Sequence, residues 1–400
     1  VALTFNNFWG AESGDLTETQ ASSNASVSSV EKRTGGYAYT FSNANGWVLF
    51  KAFKGNIADA GNAYFIEFSA FIPDVTPAAS SVMMQVFDSA ASASQCALVL
   101  NTSGQLVLFD STGAPTTLAA SPGLVINTWT KFMFYFENLA SGDCEIFVDG
   151  ISKGSLTGKN LKNGATIIDI IGVYACGSAS GCYQDDIACY SGAADSGDLP
   201  EPGECHAYWS TLNNATGDVG GALASGTWDL IQHTPFETSV QAQYDTTGAG
   251  SVDTDDSGGS EGTGGPNTDT NITGTIAAIK GLWRFERGTG GASAHYGLLG
   301  NNVDGTTRSI DFNPLQTPVN HEMVSVAASI VPTSSEYCRI GIETTGAQNF
   351  ECYGMLATIW HIPSAGSTTF ESWNAVLEAD IISINEVLIA NISDINDLPI

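Results

Sequence analysis

The chain has 400 residues, 43% of them apolar, and carries 13 Lys and Arg against 42 Asp and Glu for a net charge of −29. That apolar content can build real cores and excludes a globally disordered chain, and the length suits two or three domains. The acidic balance excludes a nucleic-acid binder, which needs a basic footprint to displace counterions, and an anionic membrane surface would repel it.

Residues Val1 to Phe8 lack a basic n-region and a long apolar h-region, so no signal peptide is expected, whether or not a leader or initiator Met preceded them. No run approaches the ~20 apolar residues of a membrane span, so no membrane insertion is expected. The first 192 residues read as strand after strand. Tyr64 to Phe71 is bounded by Gly61 and Pro73, and Val82 to Phe87, Ala97 to Leu100 and Leu106 to Phe109 follow. The last two are joined by Asn101-Thr102-Ser103-Gly104, a hairpin turn signal. Lys131 to Phe136 is apolar on both faces, which predicts a central strand packed on two sides. Cys144 to Val148 runs into Asp149-Gly150, another turn. Short strands at this spacing imply a sandwich or barrel.

Ser191 to Gly203, rich in Gly, Asp and Pro, reads as an inter-domain connection, and a second β-rich region follows over 204–365. His206 to Ser210 and Ser239 to Tyr244 are short strand candidates. Asp245 to Asn271 holds no aromatic residue, Lys or Arg and is dense in Gly, Asp, Thr and Ser, so it predicts a long exposed loop within that region. Alternation resumes at Ile276 to Glu286, Val324 to Ile330, Arg339 to Glu343 and Leu356 to Ile362. The fold class is therefore all-β: two jelly-roll-like sandwiches over 1–192 and 204–365, then a C-terminal extended tail over 366–400. In the tail, Ile384-Asn385-Glu386-Val387-Leu388-Ile389 recurs as Ile395-Asn396-Asp397-Leu398-Pro399-Ile400. Its side chains Ile384, Val387, Ile389, Ile392, Ile395, Leu398 and Ile400 would be a liability in water. They predict docking on another subunit by strand addition, with packing back on the second domain as the alternative.

Eight cysteines show no CxxC spacing, which argues against a zinc ribbon. Free core thiols are the first reading and disulfides the second, with Cys176, Cys182 and Cys189 the local cluster best placed to pair. The five histidines, His206, His233, His295, His321 and His361, show no HxH or HxxxH pair, so no metal site is assigned to them. Calcium is the one cofactor with any support, through the clustered oxygens of Asp253, Asp255 and Asp256 or of Asp149, Asp185 and Asp186. The competing reading is a solvated loop for the first set, and turn caps and backbone hydrogen bonds for the second. No GxSxG elbow occurs. Trp9, Trp47, Trp209 and Trp228 are candidate glycan platforms, of which Trp209 and Trp228 are retained, although a Trp in a sandwich is more often core.

The stretch Asn127-Thr128-Trp129 to Phe136, then Glu145 to Gly150, then Gly181 to Tyr190 with its Asp185-Asp186-Ile187, resembles the laminin-G-like, concanavalin A-type sandwich. The opening strand Phe5 to Gly14 and the Arg33-Thr34-Gly35-Gly36-Tyr37-Ala38 element resemble a set of bacteriophage structural proteins. Trp228, Phe236-Glu237, the Asp-rich loop and Ile276 to Arg287 resemble the partner domain that follows in those proteins. The tail resembles their I-N-G-V repeats, with Glu386 and Asp397 in place of Gly. The resemblance implies a non-enzymatic virion structural protein, a capsid decoration, fibre or tail-associated subunit. It would sit on the particle surface with other virion proteins and further copies of itself as partners. The alternatives are an adhesin for host glycans on the same scaffold and a secreted glycoside hydrolase. The hydrolases of this fold need paired carboxylates on one strand, and no Glu-x-Asp-x-x-Glu occurs: Glu378-Ala379-Asp380 begins one, but Ser383 stands at its end.

Overall fold

The structure, a computed structural model, describes residues 3–51, 63–88, 93–164, 168–176, 181–193, 195–208, 219–226, 242–253, 274–287, 295–300, 307–311, 319–330, 339–344 and 348–363. In chain order the first unit holds β1 (Thr4–Trp9), β2 (Ala21–Ser23), β3 (Ala25–Ser28), β4 (Ala38–Phe41), β5 (Trp47–Lys51), β6 (Ala63–Phe71), β7 (Ser81–Asp88), β8 (Ser94–Leu100), β9 (Leu106–Phe109), β10 (Pro115–Ala119), β11 (Trp129–Glu137), β12 (Gly142–Val148), β13 (Ile151–Lys159), β14 (Ile168–Tyr174) and β15 (Tyr183–Ser191). They pair antiparallel in two sheets. One runs β13-β12-β11-β6-β15-β4-β3 with β1 also on β15, and the other runs β10-β9-β8-β7-β14-β5-β2.

The alternating side chains of the two inner faces meet in one core, as in other face-to-face sheets. Phe68 stacks on Phe132, Phe134 on Phe136 and Trp9 on Phe50, with Cys96 and Cys144 filling small gaps. Strands with a clear pattern, such as β6, β8, β11 and β12, are those the sequence predicts. The polar strand β13 was not predicted: it lies at the end of its sheet, where burial imposes no alternation. Trp9 is 1% exposed within the core, which removes it as a glycan contact. The cysteine cluster is not cross-linked: Cys176, Cys182 and Cys189 are free thiols, the Cys182 sulfur accepting from the Cys176 amide at 3.0 Å. A buried thiol is satisfied by apolar packing and one weak hydrogen bond, so proximity in a Gly-rich loop does not require a bridge.

The second unit holds β16 (Glu204–Tyr208), β17 (Val219–Gly226), β18 (Ala242–Asp253), β19 (Thr275–Arg287), β20 (His295–Gly300), β21 (Thr307–Asp311), β22 (Val319–Ile330), β23 (Arg339–Thr344) and β24 (Gln348–Ile362), all in one branched antiparallel sheet. The long β24 pairs with β19 along one edge, while β16 and β18 share the other. Strands that change partner along their length are how β layers turn corners. The expected loop over Asp245 to Asn271 is corrected here: Asp245 to Asp253 belong to β18, which pairs with β17, β23 and β24. Low apolar content points away from strand, but pairing of the backbone on both edges makes one of this Gly- and Thr-rich segment. The rest of that stretch, with Asp255 and Asp256, and the tail over 366–400 lie outside the described residues.

The two units share a second apolar seam. The outer face of the β6-β11-β15 sheet presents Phe65, Met133, Tyr135, Ala188 and Tyr190, and β16, β19 and β24 cover it with Cys205, Ala278 and Trp360. This explains why Lys131 to Phe136 is apolar on both faces. Approach is close enough that a Cβ on Gly10 would stand 2.6 Å from the Cβ of Cys205.

Candidate functional site

The chemistry-bearing side chains concentrate at this seam. In β15 the register against β6 shifts between Asp185 and Ala188, and Asp186 takes a φ of 46°, the left-handed region that Asp tolerates better than most residues. At this bulge β15 exchanges β4 for β1 as its neighbour, opening the ladder so that groups from outside can reach in. Asp185 accepts from the Arg33 and Thr34 amides at 3.0 and 3.3 Å. Asp186 is ion-paired with Arg33 and accepts from the Thr34 hydroxyl and, across the seam, from the Cys205 amide at 2.8 Å. Arg33 also reaches Glu204 of β16, at 3.5 Å.

Both aspartates are fully buried. Burial and the adjacent Asp186 charge hold the Asp185 carboxyl well above the usual range. Burial would raise Asp186 as well, but the Arg33 guanidinium outweighs it and keeps that carboxyl low. The shared negative charge therefore resides on Asp186, facing Arg33.

Two lysines make further ties. Lys131 on β11 is ion-paired with Glu67 on β6 and donates to the Gly203 carbonyl of the connection, while the Gly203 amide returns a bond to Glu67 at 2.9 Å. Tyr190 donates to the other Glu67 oxygen at 3.2 Å. Lys280 on β19, fully buried, donates to the Phe8 carbonyl, lies 3.6 Å from Glu18, and sits 4.8 Å from the Phe8 ring centroid. Charges so deeply buried are retained only when paired and hydrogen-bonded, as these are.

One cluster differs in kind. Glu204 and His206, two apart on β16, share a strand face, and His361 on β24 stands opposite Glu204 in the ladder. Glu204 Oε2 lies 3.8 Å from His206 Nε2 and 3.7 Å from His361 Nε2, with the two rings 4.9 Å apart between centroids. All three are buried. Burial would raise the Glu204 carboxyl, but the adjacent His206 imidazole and the charge of Arg33 hold it below its ordinary value. The sequence assigned these histidines no metal role. Glu-x-His within a strand was the one local sign, and its third member lies more than 150 residues away, joined only by strand register.

No family model matches the chain, and no curated protein matches it. Among solved structures it is similar to an endo-β-1,4-glucuronan lyase from the fungus Trichoderma reesei, at 13% identity over 47% of this chain and 96% of the other, with a TM-score of 0.33. It is also similar to domain 4 of AbnA, a GH43 extracellular arabinanase from Geobacillus stearothermophilus, at 12% identity over 50% and 97%, TM-score 0.35. A third is a carbohydrate esterase from the Shiga toxin-encoding bacteriophage phi24B, at 16% identity over 48% and 100%, TM-score 0.36. Likeness this distant carries no activity or substrate over to the present chain.

The other residues singled out in the sequence are placed as follows. Asp149, at a φ of 50° in the turn between β12 and β13, accepts from the Lys131 amide at 2.9 Å. Asp185 and Asp186 spend their oxygens on the bonds above. Asp253 ends β18. Trp209, Trp228 and the tail residues Ile384, Val387, Ile389, Ile392, Ile395, Leu398 and Ile400 lie outside the described residues. Trp47 is half-buried on β5, directly opposite Tyr174 of β14.

Proposed function

We propose that this chain is a non-enzymatic structural protein of a bacteriophage virion, carried on the particle surface as a decoration, fibre or tail-associated subunit and attached through its C-terminal segment. The observation that carries this reading is the use made of buried charge. Asp186 and Arg33 reach Cys205 and Glu204 of β16, Lys280 of β19 reaches Phe8 and Glu18, and Lys131 and Glu67 hold Gly203 of the connection, so that charged side chains tie the two β units together. Units joined by a small polar interface move relative to each other by default, whereas an apolar seam pinned by paired charges suits a part that must hold its shape. The resemblance of the Arg33 to Ala38 element to phage structural proteins supports the same reading, since Arg33 and Thr34 are residues of the seam. The partners are other virion proteins and further copies of the chain. Deleting residues 381–400 is expected to leave both β units folded, as judged by circular dichroism, and to abolish incorporation into particles. A truncated protein that assembles at the wild-type level would overturn the docking role.

A second reading, an adhesin for host glycans, is favoured by the outer face of the β7-β14-β5 sheet. Val48 and Phe50 enter the core, leaving Trp47 and Leu49 half-buried. Leu49, Tyr174 and Phe87 converge over Gly172, and the Tyr174 hydroxyl donates to Gln85 at 2.9 Å. Aromatic rings beside a polar amide suit a pyranose, whose faces are apolar and whose hydroxyls need partners. If the protein retains a glycan on an array, Trp47→Ala is expected to weaken it by roughly tenfold, about the value of one aromatic contact. Undiminished binding by this variant would remove the platform from consideration.

A further inference from the structure

We propose that Glu204, His206 and His361 form a binding site for a borderline divalent cation, zinc in the first instance, that clamps β16 to β24 beside the seam. Three observations carry it together. The strand register places one carboxylate and two imidazoles on one face of an antiparallel pair. Their ligand atoms all lie within 4.8 Å of one another, with Glu204 Oε2 3.8 and 3.7 Å from the two Nε2 atoms. A zinc ion bonded at about 2.0–2.1 Å holds its ligands roughly 3.3–3.6 Å apart, so a small inward movement of the side chains would close the site. The third observation is the support behind the carboxylate: Arg33 faces Glu204 Oε1 at 3.5 Å, which leaves Oε2 to the imidazoles. Ligating carboxylates are commonly oriented by such an outer partner.

The donor set decides the metal class. Two imidazoles and one carboxylate suit zinc and its neighbours in the first transition row, whereas calcium and magnesium require oxygen ligands throughout. The guanidinium does not forbid a cation, because Asp186 is ion-paired with it. The position of the site gives it a role. Cys205 and Trp360, the neighbours of the ligands in sequence and a cross-strand pair, face the first unit within the apolar seam. Tying β16 to β24 through the metal would stiffen the strand pair that carries those contacts.

The test uses the full chain, stripped with a chelator in denaturant, refolded with or without zinc chloride and dialysed. Metal content is read by elemental mass spectrometry, affinity by competition with a chromophoric chelator, and folding by circular dichroism. We expect one zinc per chain, no comparable uptake of calcium, and a higher midpoint of thermal unfolding with zinc than without. His206→Ala and His361→Ala should each weaken zinc at least a hundredfold, and Glu204→Gln at least tenfold. His206→Gln and His361→Gln, closer in size, serve if an alanine variant does not fold. A triple variant, His233→Ala, His295→Ala and His321→Ala, should keep the full stoichiometry. Zinc uptake that survives loss of His206 and His361, uptake that follows the other three histidines, or no uptake by the refolded wild type would each overturn the site.

Discussion

Replacing Asp186 by Ala is expected to destabilise the protein by about 3–5 kcal/mol, the usual cost of leaving one half of a buried ion pair behind. The side chain satisfies three partners at once: the Arg33 guanidinium, the Thr34 hydroxyl and the Cys205 amide. Its removal strands a nearly buried cation and a buried amide at the seam, with the Glu204 carboxylate at 3.5 Å as the remaining counter-charge for Arg33. Asp186→Asn should cost less. It keeps an acceptor for the Cys205 amide, and Asn tolerates the left-handed backbone at a φ of 46°. Urea unfolding followed by tryptophan fluorescence measures both, since Trp9, Trp283 and Trp360 are buried. An Ala variant within 1 kcal/mol of the parent, on the scale of a surface substitution, would mean that the seam does not depend on this charge.

The second large effect concerns pH. Glu12 is 1% exposed, and its two oxygens face the Gly36 amide at 3.1 and 2.9 Å. Burial raises its carboxyl from 4.5 to about 8, against the smaller opposing pulls of the Gly36 amide and His206. With the folded value above the unfolded one, the folded state holds the proton more tightly. The stability linked to this group is therefore full below pH 4.5, falls as pH rises, and levels off above about 8. Each pH unit in that window costs about 1.4 kcal/mol, so the whole effect reaches about 4–5 kcal/mol. Glu12→Gln imitates the protonated form and cannot ionise. The difference in unfolding free energy between variant and parent should be small at pH 5 and grow in favour of the variant toward pH 8. Parallel stability profiles across that range would show that Glu12 is not held neutral by burial.

Some of this molecule could be read from its residues one segment at a time. Cys144 to Val148 announces itself as a strand because burial of one face imposes a period of two on its side chains, and Tyr64 to Phe71 and Ala97 to Leu100 do so as short, nearly continuous apolar runs that fit strands buried on both faces. The double apolar character of Lys131 to Phe136 also announced a strand covered on both sides, and the second unit supplies the cover. In β13, at the end of its sheet, burial imposes no period and the sequence predicts no strand; in the first part of Asp245 to Asn271 composition points to a loop while backbone pairing makes strand.

What the sequence by itself determined is therefore the all-β class, the strands with a buried face and the acidic charge, all of them properties of single segments or of the whole composition. The seam and the candidate metal site were decided by tertiary structure. Asp185 and Asp186 are an acidic pair in any reading of the chain, and only the bulge in β15 turns them toward Arg33, Thr34 and Cys205. Glu204 and His206 meet His361 because β16 lies beside β24 in one particular register, and a slip of one residue would send His361 to the opposite face. Register is a relation between distant segments set by the packing of both units, so no spacing along the chain encodes it.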